Sequence, residues 1–302
     1  MLRHEGFVDL PAHAAGGFDH GDVHRATGRV FVAHTANGTV EVIDGVAGRH
    51  LATIPDCPEA SGVLCAQEEG LVFAAARADG RVLAIEAATL AVRAVLRAGT
   101  RPNGLAWDAR RRRLLVADVG DNRARLVDVA TEAAAATIDL PGRPRWCVHD
   151  ATGDAFFVNI REPALVVKLD AETGQIVAHL PVSAAGPHGL DLDERGRRLF
   201  VACDGGLVVV LDAETGREIG SVPIPGVPDA IWFNPAREHL YVAIGEPGVL
   251  TVVDTASATV AEGIVTEPGA QTTAFDPARQ RLFGFLPRTC RAAVFQVQQD
   301  AP

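Results

Sequence analysis

Histidines, arginines and carboxylates are the side chains of this sequence able to move protons or hold anions, and several recur at a regular spacing. His20, Ser61, Asn103, Arg145, His188, Asp229 and Gln271 stand about forty residues apart, each ahead of an apolar strand pattern. All seven are polar or charged, in a chain that is 48 % hydrophobic. His20 and His188 suit general acid–base work, Arg145 can hold a carboxylate or stabilise a developing oxyanion, and Asp229 can serve as a third catalytic group. Asn103, Gln271, Ser61 and Trp146, together with Asp118 and Asn159, are candidates for orienting a polar substrate. His20, His34 and His188 form a candidate ligand set for one divalent metal ion, with Asp229 or Asp118 supplying oxygen.

A second recurring position reads His34, Ala75, Asp118, Asn159, Cys203, Ile244 and Leu286. Its polar members fall on units one, three and four, and its apolar members offer a wall, the mixture expected of a pocket for an organic ligand. His24 and His149 sit deeper in units one and four, where they read as satisfied channel or inter-blade residues.

The elements that must position these groups come from one repeat. Val30-Phe31-Val32-Ala33 has counterparts starting at Leu71, Leu114, Ala155, Leu199, Leu240 and Leu282, at intervals of 41, 43, 41, 44, 41 and 42 residues. Four strands and their turns fill about 40–45 residues in a propeller blade. Each unit has an inner strand ending in a turn residue (Asp108, Asp150, Asp193, Asn234, Asp276), then the repeated motif, a third strand such as Leu207–Asp212, a tight turn such as Ala213-Glu214-Thr215-Gly216, and an outer strand. The seventh unit stops after its third strand, while Gly6-Phe7-Val8-Asp9-Leu10-Pro11 resembles the outer strand Thr137-Ile138-Asp139-Leu140-Pro141. The expectation is an all-β, seven-bladed β-propeller of four-stranded blades, one domain over residues 1–302. Units start near 18, 59, 101, 143, 186, 227 and 269, and residues 5–12 complete blade 7. An open solenoid would need polar caps that neither end provides.

The repeats Phe156-Phe157-Val158-Asn159 and Leu240-Tyr241-Val242-Ala243, followed by Val-Val-Asp or Val-Lys-Leu-Asp and Thr-Gly, resemble the YVTN-type β-propeller repeat over nearly the whole chain. That resemblance implies the fold and leaves the chemistry open, because similar propellers are lactonases, lyases, electron-transfer domains and scaffolds. Locally, Arg101-Pro102-Asn103-Gly104-Leu105 is similar to the metal-binding Pro-Asn-Gly turn of gluconolactonase-type enzymes, which have six blades.

Composition removes other classes. The formal net charge of −10 disfavours nucleic acid and anionic membranes as partners. The basic run Arg110–Arg113 falls at a hairpin turn and reads as solvated. No apolar stretch is long enough to span a bilayer, and no signal segment opens the chain, which predicts a cytoplasmic protein. The five cysteines lack any CxxC pairing and read as buried thiols. No nucleotide, haem or flavin motif is present, which disfavours an electron-transfer module. The expected function is a hydrolase of lactonase type, a lyase or an isomerase, metal-assisted or histidine-based, acting on a small polar or anionic molecule at one mouth of the central channel. The rival expectation is a non-catalytic scaffold for protein partners, although no sequence feature indicates a particular partner and only Trp146 offers a large aromatic at that face.

Overall fold

Period-two alternation interrupted every few residues by Gly, Asp or Asn allows short strands and tight hairpins and little else. The structure, a computed structural model that describes residues 1–298, bears this out with seven four-stranded antiparallel sheets. Six sheets take their strands in chain order. The seventh joins the last three strands to the first, with Leu2–Asp9 pairing antiparallel to Arg291–Val297 from Leu2↔Val297 to Asp9↔Arg291. The closing strand therefore starts a few residues before the expected segment and ends inside it.

The inner strands are Gly21–His24, Ala60–Ala66, Pro102–Asp108, Pro144–Asp150, Pro187–Asp193, Val227–Asn234 and Thr272–Asp276. The second strands begin at Arg29, Leu71, Arg113, Ala155, Arg198, His239 and Arg281, so the true period is more even than the motif suggests. The motif alignment is one residue out in units two and four, where Leu71 and Ala155 are the first strand residue, whereas Val30, Leu114, Leu199, Leu240 and Leu282 are the second. The residue ahead of every second strand is left-handed: Gly28, Gly70, Arg112, Asp154, Arg197, Glu238 and Gln280. The turn residues Asp108, Asp150, Asp193, Asn234 and Asp276 accept backbone N–H bonds as expected, for example from Gly153 to Asp150 at 2.9 Å and from Gly196 to Asp193 at 2.9 Å.

The core is divided among the blade interfaces. Seven apolar clusters each join two neighbouring blades, including one that carries Val8, Val23, Val30, Phe283 and Val294 across the junction of blades 7 and 1. The third residue of each second strand anchors them: Phe31, Phe73, Leu115, Phe157, Phe200, Tyr241 and Phe283 are all at most 1 % exposed. An aromatic chain that buries about 150–250 Å² is concentrated where the flat faces of two sheets meet. Among the described residues, no helix is long and apolar enough to cross a membrane. The five cysteines are free, four of them buried.

The mouth end of the channel is shaped by backbone irregularities. Five inner strands break register there, between Ala60 and Val63, Pro102 and Gly104, Pro144 and Cys147, Pro187 and Gly189, and Pro228 and Ile231. Such a bulge re-aims a side chain out of the regular alternation. Ser61, Asn103, Arg145, His188 and Asp229 all stand at these breaks.

Candidate active site at the channel mouth

Two histidines from blades 1 and 5 meet one aspartate from blade 6. His20 Nδ1 lies 2.6 Å from Asp19 Oδ1, and His188 Nδ1 lies 2.9 Å from Asp204 Oδ1. A carboxylate facing Nδ1 accepts a hydrogen bond from Nδ1–H and so keeps that nitrogen protonated, which leaves Nε2 of the neutral ring as an acceptor. Both Nε2 atoms turn towards Asp229, whose Oδ1 is 3.1 Å from His188 and 3.9 Å from His20. His20 Nε2 is buried without a hydrogen-bond partner. Its ring stacks on Trp146 at 3.8 Å between centroids and 5° between planes, which fixes its orientation.

Arginines frame this cluster. Arg77 donates to Asp19 Oδ2 at 2.5 Å and to Asn103 Oδ1 at 2.7 Å. Arg161 pairs with Asp204 at 2.8 Å, and the Arg145 guanidinium contacts the His188 ring nitrogens. Side-chain exposure runs from 8 % at His20 to 19 % at Arg77, with Arg161 at the rim more exposed at 46 %, so the inner groups are largely desolvated.

The electrostatics follow from that packing. Burial would raise Asp19, but hydrogen bonds and charge from His20 and Arg77 outweigh it and hold the carboxyl well below its usual range. Burial would likewise raise Asp229 and Asp204, and in both His188 reverses the direction. For His188, burial favours the neutral ring, but the charge of Asp229 and the hydrogen bond to Asp204 prevail and raise its pKa above 6.5. Burial lowers Arg145, and Asp229 partly restores it. His188 thus holds its proton more tightly than a free imidazole. Protonated, Nε2 donates towards Asp229; neutral, it accepts from Arg145.

A cavity of about 670 Å³ at the mouth, on the side of blades 7 and 1, reaches this cluster at Asp19 and Arg77, and Gln271, His13 and Arg288 are also in its lining. A second cavity of about 440 Å³ lies below and is roofed by Trp146. His20, between Asp19 and Trp146, stands in the partition.

The structure therefore brings His20, Arg145, Trp146, His188 and Asp229 together, ties in Asn103 through Arg77, and places Gln271 at the rim. It does not bring in the others. Ser61 donates to Pro102 O at 3.0 Å and is a buried link between blades 2 and 3. Asp118 accepts the backbone N–H groups of Arg101 at 2.9 Å and Gly120 at 2.8 Å, with Arg125 at 3.0 Å, and clamps a turn. Asn159 donates to the backbone oxygens of His188 and Gly189, each at 3.0 Å, and positions that strand. His34 is fully buried in a separate network, with Nδ1 3.0 Å from Glu41 and Nε2 2.7 Å from His13, away from His20 and His188. The expected three-histidine ligand set does not assemble.

The reason is strand alternation. In the observed register, the sixth residues of the second strands are His34, Ala76, Asp118, Ile160, Cys203, Ile244 and Leu286, and their side chains are buried between blades. The next residue along reads Thr35, Arg77, Val119, Arg161, Asp204, Gly245 and Pro287. Arg77, Arg161 and Asp204 from that ring complete the site; a one-residue shift of the sequence alignment reaches Asp204, and units two and four, already one residue out, need a shift of two to reach Arg77 and Arg161. His24 is also displaced: it pairs with Arg29 at the position where other blades carry the turn Asp, whereas His149 pairs with Phe156. One further acidic group, Asp108, His149 and Asp154, has metal-like spacing, but Arg111 already bridges the two carboxylates at 2.8 and 2.7 Å.

Fold and site together define a seven-bladed β-propeller with a buried polar cluster across its channel. No family model matches the chain, and no curated protein sequence matches it. Among solved structures, a chain in the crystal structure of the mitotic checkpoint complex is similar, with a TM-score of 0.83 over 98 % of this chain and 92 % of that chain at 13 % sequence identity. At that identity the likeness is one of fold, and the YVTN resemblance rests on the repeat residues alone.

Proposed function

We propose that the protein is an enzyme of small organic anions that works by histidine acid–base chemistry at the channel mouth, as a hydrolase of lactones, a lyase or an isomerase. The observation that carries this reading is the convergence of two carboxylate–histidine pairs, Asp19–His20 and Asp204–His188, on Asp229. His188, with its raised pKa, is the general acid. His20, oriented by Asp19 and Trp146, offers Nε2 as the general base. Arg77 and Arg288 at the upper cavity attract the anion, and Arg145 meets charge that develops on the substrate. The histidine-based branch is favoured over the metal-assisted one because His34 lies elsewhere and the Arg145 cation stands against His188, where a metal would need to sit.

The test is a turnover screen with lactones, hydroxy acids and unsaturated acids, repeated with His188→Ala. The expected loss in kcat/KM is about 100- to 10,000-fold at an unchanged melting temperature. A folded variant that keeps full turnover, or a wild-type protein that turns over none of these classes, contradicts the proposal.

A second reading, a scaffold that recruits proteins, is supported by an apolar groove beside the closing strand, where Phe7 is 53 % and Val265 is 85 % exposed. The propeller of similar fold in the mitotic checkpoint complex is itself part of a complex. Stable complexes formed by the wild type and lost in Phe7→Ser, alongside an inert mouth, would favour it.

A further inference from the structure

Below the partition, the channel has a ring of its own. Asp22, Leu64, Ala106, Val148, Asp191, Trp232 and Ala274 each pair with the third residue of a second strand and so occupy equivalent positions around the axis. Five are apolar, and the two carboxyls stand on blades 1 and 5, on opposing walls. The cavity of about 440 Å³ at this level is lined by Asp22, Asp191 and all three tryptophans of the chain, Trp107, Trp146 and Trp232.

We propose that this lower cavity binds an organic cation, an amine or quaternary ammonium group on a small apolar body. Four observations carry the proposal. First, the indoles are fixed in advance: Trp232 Nε1 donates to Thr273 O at 2.9 Å, Trp107 Nε1 donates to Glu69 at 3.1 Å, and Trp146 is held by its stack on His20. Indole faces attract cations through the ring quadrupole, more so when desolvated.

Second, each carboxylate is held by backbone N–H groups and by no cationic side chain, with only the Cys65 thiol adding a side-chain hydrogen bond, to Asp22. Asp22 accepts from Val23 N at 2.6 Å and Cys65 N at 2.7 Å; Asp191 accepts from Leu192 N at 2.8 Å and Phe233 N at 2.6 Å. Each oxygen keeps a lone pair for a ligand. Third, these ties to the next blade are not demanded by the fold, because five blades make the same junction with Leu, Ala, Val, Trp and Ala. Fourth, the cavity's lining adds Glu68, Asp154 and Glu194 against Arg25 and Arg110, an acidic balance that suits a cation. The volume suits a small ligand. None of this depends on acid–base chemistry at the mouth.

Burial pushes Asp22 up to about 6 and Asp191 up to about 7, so both lose their charge in mild acid. The groups facing them are each other, Arg25 on the following turn, the Cys65 thiol on the inner strand of blade 2, Glu68, His149 and Glu194. Cation binding is therefore stronger at pH 8 than at pH 5.

The test uses the full chain and its intrinsic tryptophan fluorescence, which reports this cavity because it holds every tryptophan. The probes are benzyltrimethylammonium, its uncharged carbon analogue neopentylbenzene, and benzoate. The expected result is a saturable change with the ammonium compound, at least about tenfold weaker binding of the other two, and at least about tenfold weaker ammonium binding at pH 5 and in Asp191→Asn. Equal binding of the neutral analogue, no saturable response to the cation at millimolar concentration, or unaltered binding in a folded Asp191→Asn protein overturns the proposal. The comparison of cation with neutral analogue needs no variant, so a misfolded mutant does not protect it.

Discussion

Asp229 illustrates how a single residue is positioned by its neighbours' lack of bulk. A Cβ on Gly189 would lie 2.2 Å from the Asp229 backbone oxygen, and one on Gly104 would lie 2.2 Å from that of Arg145. These glycines follow His188 and Asn103, so the absence of a side chain after one mouth residue admits the carbonyl of the next. Gly189→Ala is expected to cost about 1–3 kcal/mol by overpacking and to move Asp229 away from His188. Chemical denaturation and the turnover assay check it; a variant with wild-type stability and kcat/KM would show that the close approach is dispensable.

The same scale governs pH dependence. Asp22 and Asp191 are raised by burial, and His188 is raised by Asp229 and Asp204 against its burial. Each group's folded pKa exceeds its unfolded value. At these three groups the native protein therefore binds more protons than the unfolded chain between about pH 4 and 7, and their contribution to stability is lost as pH rises through that window; His24 and His149, lowered by burial, oppose part of it. Glu41 acts oppositely: burial would raise it, but bonds from His34, Thr39, Thr53 and His50 lower it to about 2, so its contribution disappears only in strong acid. Melting temperature is expected to fall from pH 5 to pH 8, and Asp22→Asn with Asp191→Asn to flatten that slope. A slope unchanged in the double variant would refute the assignment.

At the scale of elements, the closing strand Leu2–Asp9 supplies the fourth strand of blade 7, and Val8 and Leu10 belong to the core between blades 7 and 1. Removing residues 1–13 would expose the edge of Arg291–Val297 and open one of the seven interfaces. The expected outcome is loss of cooperative unfolding or aggregation, read by calorimetry and light scattering. A truncated chain that stays monomeric with an unaltered melting temperature would contradict it.

Elements are also the most legible feature of the sequence. Strand count, blade count and the closing role of the N-terminal strand follow from period-two patterning and from turn residues such as Asp150 and Asp193, because these are local signals repeated seven times. The bulges are not legible. One inserted residue at Pro144 to Cys147 or Pro187 to Gly189 changes which side chain enters the channel and leaves no mark on hydrophobic alternation. The inner ring survives because five of its members stand at those bulges, and His20 and Gln271 stand just ahead of their inner strands. The second ring, aligned on the motif, falls one residue early in most units and two early in units two and four, which puts Ala75, Asn159 and Cys203 in place of Arg77, Arg161 and Asp204 and brings in His34 and Asp118. Residue type alone does not separate the inter-blade packing of Asp118 and His34 from channel exposure.

At the scale of the molecule, closure of seven blades makes His20, His188 and Asp229 one electrostatic unit, although 41 residues separate His188 from Asp229 and many more separate His20 from either. The ring also divides the channel into an upper basin with Arg77 and Arg288 and a lower chamber with the tryptophans, meeting at the His20–Trp146 stack. Under the proposed anion and cation binding, the two chambers have opposite charge preference, with the His20–Trp146 stack as part of the wall between them. The most direct measurement is a proton NMR titration of the His188 ring in the wild type and in Asp229→Asn. The expected midpoint lies above 6.5 in the wild type and drops clearly in the variant; a midpoint at or below 6.5 that does not move when Asp229 is neutralised would mean that the two residues do not share a proton-holding unit.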